Sequence, residues 1–393
     1  MPALYLAARR AVKRWAVMAA AAAAASCVRT PAPSLAPAAP AGRIVHSLFL
    51  LGDGGVPAPD DPVLAALRAA VAEAPDRSTV LFLGDNVYPS GLPAGDDPDR
   101  AGAEARLRTQ IEAARGAAQI VFVPGNHDWV RGGTGGWDAI RRQAAFVAGS
   151  GVAHARVRPD GGCPGPEEVP AGPVRVAVLD TQWWLHDGPK PVDASSSCAA
   201  YTPGGVTALL RGWLLADTTR PSIVVGHHPL LTGGAHGGYF SWTDHVFPLT
   251  NVKPWLWLPL PFLGSAYPVA RNLGISKQDL SSGRYRALRD SLAAAFAARP
   301  PLVYAAGHEH NLQVLDGDGF GAHTLVVTGA AAYGHTSAVG RMPATRYARQ
   351  ANGLVRLDVV AGGGVRLAVI VVRRGQAPQE EYSEWLIPST PER

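Results

Sequence analysis

Cysteine and methionine are scarce in this 393-residue chain, at three residues each, and only 17% of its residues are charged. The formal net charge is +5, but Arg9, Arg10, Lys13 and Arg14 stand together near the start with no acid among them. Without that stretch the balance is close to neutral, so the basic excess is no reason to expect a nucleic-acid partner. No DNA- or RNA-binding motif is present. No internal repeat is present either, and one large domain is expected. No apolar run is long enough to cross a membrane. Residues 15–25 are too short, and residues 254–263 are both too short and interrupted by Pro254, Pro259 and Pro261. Apolar residues nevertheless make up 47% of the chain, enough to bury a large core.

The first 27 residues read as a targeting segment. A basic stretch ends at Arg14, the apolar run 15–25 follows, and Ala24-Ala25-Ser26-Cys27 closes it. Small residues before a cysteine resemble a bacterial lipobox, so Cys27 is expected to carry a lipid anchor. Ordinary signal cleavage beside an incidental cysteine is the alternative, and would leave a soluble periplasmic or secreted protein. The Ala/Pro-rich residues 28–42 suit a tether. An exported protein leaves Cys163 and Cys198 free to form a disulfide in an oxidising compartment.

Five short polar runs follow β-branched apolar stretches. They are Gly52-Asp53-Gly54-Gly55, Gly84-Asp85-Asn86-Val87-Tyr88, Gly125-Asn126-His127-Asp128, Val224-Val225-Gly226-His227 and Gly307-His308-Glu309-His310. The stretches before them, 47–51, 79–83, 120–123, 223–225 and 302–306, read as buried parallel strands. In open α/β sheets a site lies beyond the carboxyl ends of the strands, so the five runs should meet in one pocket. Carboxylates, an amide, a phenol and imidazoles together suit two hard or borderline cations, and two-metal sites serve phosphoryl hydrolysis.

On these runs the chain resembles the calcineurin-like metallophosphoesterases, and within them the purple acid phosphatases. The wider family carries Asp-x-His in its first run, where this chain has Gly55. The acid phosphatases lack that His and place a Tyr three residues after the second Asp, where this chain has Tyr88. The resemblance spans roughly residues 44–372. It implies a four-layer α/β/β/α sandwich with two packed sheets. It implies one metal on Asp53, Asp85, Tyr88 and His310, a second on Asp85, Asn126, His227 and His308, and Asp85 bridging. Phenolate and carboxylates suit Fe(III), and the less charged second set suits divalent Fe, Zn or Mn. A hydroxide on the metal would then attack a phosphomonoester. His127 and His236 fall where the family keeps histidines that act on substrate. A phosphodiesterase or nucleotide hydrolase is the near alternative, and a non-catalytic envelope lipoprotein the distant one.

Helical patterns alternate with the strands at 62–74, 99–117, 137–147, 207–215 and 285–298, and strands at 323–328, 353–359 and 365–372 follow, the last two as a hairpin. The catalytic domain is placed at 43–375 and a tail at 376–393. Residues 237–283 form a Trp/Pro-rich insertion between His227 and His308. Three readings stand open for it: a pocket wall, a membrane-facing patch, or a segment packed on the body. His228 is read as packing only, and Glu309 and His335 are given no role.

Overall fold

The computed structural model describes residues 42–251, 255–261 and 263–389. The leader, Cys27 and nearly all of the tether lie outside the described residues.

Two seven-stranded sheets face one another. The first is built on β1 (Ile44–Leu51), β2 (Ser78–Phe82), β3 (Gln119–Phe122) and β4 (Ala155–Val157), in parallel and in that order. β12 (Gly353–Val360) joins β1 antiparallel, then β13 (Val365–Val371) and β14 (Gln379–Ile387) follow as antiparallel neighbours. The second sheet is built on β6 (Val174–Val178), β7 (Ser222–Val225), β8 (Val303–Ala306) and β10 (Thr324–Thr328), also parallel. β5 (Glu167–Ala171) flanks it at one edge; β9 (Leu312–Asp316) and β11 (Thr345–Arg349) flank it at the other.

Side chains of a strand alternate between its faces, and here both faces are covered. Leu48, Leu50, Leu81 and Val121 meet Val176, Ile223, Val225 and Val303 between the sheets. Phe49, Leu51, Val80, Phe82 and Phe122 turn the other way, onto α1 (Pro62–Glu73), α2 (Arg100–Ala114) and α3 (Gly136–Ala148). Val224, Tyr304 and Ala306 pack likewise against α5 (Pro203–Ala216) and α8 (Gly283–Phe296), while the short α4 (Gln182–Leu185) lies between. The result is an α/β/β/α sandwich, and it explains why the central strands read as unbroken apolar runs rather than as alternating ones.

Cys163 and Cys198 are joined by a disulfide, with Cα atoms 5.4 Å apart. The expected tail is corrected in part: residues 379–387 form β14, a full edge strand. Gln379-Glu380-Glu381 and Ser383-Glu384 make it look like a polar terminus, but it pairs with β13 at the sheet edge, where it is half-buried along nearly its whole length. Its acids meet Arg366 on β13, Arg373 just beyond the end of β13, and Arg346 on β11 of the second sheet.

Candidate metal centre

The carboxyl ends of the two sheets meet where glycines let the backbones touch. A Cβ on Gly52 would lie 2.7 Å from the Gly307 Cα, and Gly52 N donates to the Thr328 carbonyl. From this seam the five polar runs turn inward. Three of them break their strands with a residue in the left-handed region: Asp53 (φ 60°), Asp85 (φ 55°) and His308 (φ 70°). Each such non-glycine conformation costs about 1–3 kcal/mol and clusters where function over-determines it.

The first donor group surrounds the Tyr88 hydroxyl. It lies 3.0 Å from Asp53 Oδ1, 3.1 Å from Asp85 Oδ2 and 3.2 Å from His310 Nε2. His308 N donates to the other Asp53 oxygen at 2.7 Å. Burial, with Asp85 close by, pushes the Asp53 carboxyl up to about 7, and burial with both carboxylates pushes the Tyr88 phenol well above its usual range. Two buried carboxylates side by side call for a cation between them.

The second group centres on Asn126, whose Oδ1 lies 3.0 Å from both His227 Nε2 and His308 Nδ1. The far nitrogens define the tautomers. His227 Nδ1 meets the Leu83 carbonyl at 2.8 Å and His308 Nε2 meets the Gln278 carbonyl at 3.1 Å. Carbonyls only accept, so those nitrogens carry the protons and the inner ones carry lone pairs. Three acceptors therefore converge with no hydrogen among them, and a divalent cation satisfies that arrangement. Asp85 Oδ1, 3.5 Å from His227 Nε2, stands between the two groups. The seven residues that the resemblance implied as ligands are thus brought together, with Asp85 in the bridging place.

Gly55 explains the missing histidine. A Cβ there would sit 2.5 Å from Asn86 C and Val87 N. Gly55 N donates to the Asp85 carbonyl and Tyr88 N to the Gly55 carbonyl. No side chain fits, and the phenol that arrives from the next loop occupies the metal-facing space.

His127 and His236 line the cavity over the centre, with Arg131, Tyr267, Arg271 and Gln278. His127 Nδ1 meets the Pro89 carbonyl at 2.6 Å, so Nδ1 carries the proton and Nε2 is the free nitrogen. His236 Nδ1 lies 2.8 Å from Asp279 Oδ1, and Arg271 forms a two-pronged ion pair with the same carboxylate.

Sequence reasoning missed several residues at the site. Arg131 stands four residues after the recognised His127 and carries φ 53°. Gln278, Asp279 and Arg271 come from the insertion, whose near end is therefore a pocket wall. Glu309 is buried and accepts from His236 N at 2.7 Å, because positive φ at His308 turns the run away from an extended course. His335 packs against His310 with the rings tilted and their centres 3.9 Å apart. His228 is buried beside His227 and His308, its ring nitrogens 2.8 Å from Thr181 Oγ1 and from Gln278 Oε1.

Asp128 is buried beneath the site and ties two runs together. Its carboxylate accepts from Gly125 N, Asn86 N, Val87 N and Asn86 Nδ2 at 2.8–3.1 Å. Asp128→Ala would leave three buried backbone N–H groups without a partner, since Asn86 Nδ2 keeps the Val123 carbonyl, and should cost about 2–4 kcal/mol of stability by denaturant titration. A change under about 0.5 kcal/mol, the range of surface substitutions, would mean that the loops do not depend on it.

The chain matches the family model for calcineurin-like phosphoesterases over residues 47–312. No curated protein matches it in sequence. Among solved structures it is similar to the purple acid phosphatase PPD1 from yellow lupin (Lupinus luteus) seeds. Identity is 13% and the TM-score 0.50, covering 84% of this chain and 52% of that one. It is similar also to PhoD, at 14% identity and a TM-score of 0.50, covering 88% of this chain and 70% of that one. At such identities these likenesses show the fold.

Proposed function

From the premise that the chain belongs to the calcineurin-like phosphoesterase family and is a hydrolase, we propose that it is a binuclear phosphomonoesterase of the purple acid phosphatase kind. The observation that carries this is the pair of donor groups sharing Asp85, one around the Tyr88 hydroxyl and one around Asn126 Oδ1. Asp53, Asp85, Tyr88 and His310 would hold Fe(III); Asp85, Asn126, His227 and His308 would hold divalent Fe, Zn or Mn. Such a pair supplies concentrated positive charge and acidifies water.

The chain's own residues do the rest. His127, with Nδ1 held by the Pro89 carbonyl, lines the cavity with Nε2 open, and a proton taken up at Nε2 can pass to the leaving oxygen. His236, clamped at Nδ1 by Asp279, presents Nε2 to the phosphoryl oxygens. Arg131 adds a fixed cation on the cavity rim, which suits the two negative charges of a monoester. Rates on nitrophenyl phosphate and bis-nitrophenyl phosphate, measured on metal-analysed protein, test the reading. A clear preference for the first is expected; preference for the diester would make the protein a phosphodiesterase. Catalysis with one metal per chain would remove the binuclear assignment.

The leader supports export and a lipid anchor. The mass of the mature N-terminus should show an acylated Cys27, and Cys27→Ala should abolish the modification and release the protein from the detergent fraction. A soluble wild-type protein with another N-terminus would reject the anchor.

A further inference from the structure

Part of the insertion contributes nothing to the pocket and is not covered by the body. Of the thirteen large hydrophobic side chains that stand most exposed on the described residues, nine fall within 242–275. Trp242, Trp255 and Trp257 are 59%, 73% and 58% exposed, whereas Trp129, Trp183 and Trp184 in the body are buried. The exposed rings form connected surface. Phe247 lies 6.0 Å from Trp242 and 5.2 Å from Trp257, ring centre to ring centre. Tyr267 and Ile275, also exposed, carry the apolar surface to the rim of the cavity over the metal centre.

We propose that the exposed apolar side chains of residues 242–251, 255–261 and 263–275 form a docking surface for the phospholipid bilayer, which would set the mouth of the active site against the membrane. Chemistry favours a bilayer over a protein groove. Tryptophan combines a large apolar ring with one N–H donor and concentrates at the headgroup boundary. Across residues 242–275 the sequence holds two basic residues, Lys253 and Arg271, against one acid, Asp244, which is engaged in the capping box with Ser241. The prolines and short helices α6 (Trp242–Val246) and α7 (Ala266–Asn272) keep the segment on the surface rather than across it.

Chain geometry points the same way. Residues 28–42 separate Cys27 from β1, a span of about 20 Å as a flexible coil and about 45 Å as extended polyproline. This argument rests on the proposed lipid anchor; the aromatic surface does not. An anchored body stays within reach of the bilayer, and the Trp surface would settle its orientation.

The test uses residues 28–393, which contain every strand of both sheets and lack Cys27. This protein should float with phosphatidylethanolamine/phosphatidylglycerol vesicles, at high salt as well as low, and its tryptophan emission should shift to shorter wavelength. Changing Trp242, Trp255 and Trp257 together to serine should weaken vesicle binding about tenfold or more, with circular dichroism and melting temperature unchanged. A parent protein that does not float would overturn the proposal, as would a triple variant that floats equally well. A vesicle-independent dimer, lost in the triple variant, would assign the surface to a second copy instead. Because Cys27 is absent, failure of the anchor leaves these outcomes unaffected, and loss of phosphatase activity leaves them readable.

Discussion

His127→Ala is expected to lower kcat by about 10²–10⁴-fold, the usual range for a lost acid or base, while two metals per chain remain. His127 adjoins Asn126, yet their side chains diverge. Asn126 Oδ1 turns to His227 and His308, whereas the His127 ring packs over Tyr88 with centres 4.2 Å apart and bonds the Pro89 carbonyl. Its backbone N, not its ring, bonds Asp85 closely, at 2.8 Å; its Nε2 stays 3.8 Å from the Asp85 carboxylate. Removing the ring should leave the donor groups whole. His127→Gln, which can still orient a phosphate but cannot transfer a proton at neutral pH, separates the two duties. If the glutamine variant recovers most of the rate, the ring acts by orientation. Loss of one metal in His127→Ala would make it a ligand and overturn the assignment.

Tyr88→Phe is expected to remove a visible colour. A free phenol ionises near about pH 10, and here burial and two carboxylates push Tyr88 higher still. In the absence of a cation the hydroxyl therefore keeps its proton and donates to Asp53 and Asp85. Only a highly charged ion would displace that proton, and a phenolate on Fe(III) absorbs visible light, which a zinc or manganese pair cannot reproduce. Oxidised protein should be coloured, the variant bleached, and its trivalent ion more weakly held. Full activity in a colourless zinc or manganese protein, unaffected by Tyr88→Phe, would reject the purple-phosphatase reading. The phosphoesterase family would stand, because the other six donors do not depend on Tyr88.

The chain's local order already carried most of the centre. A β-branched run ending in Gly and a polar residue is a local signal, and all five such runs became strand ends of the sandwich. Donor types and the exchange of His for Tyr are likewise written in short stretches, Gly52 to Gly55 and Gly84 to Tyr88. Tertiary structure alone decided which distant residues support them. Gln278 reaches His308 from 30 residues away, Asp279 reaches His236 from 43, and Glu309 reaches the His236 backbone from 73. No local pattern marks such residues, because a lone Gln, Asp or Glu in a loop reads as solvated until another loop closes over it. The same holds for β14: its polar face looks like a tail, and only pairing with β13 makes it a strand. Residue type and strand period are properties of neighbours in sequence, whereas burial, tautomer and shared hydrogen bonds arise only when separate loops converge.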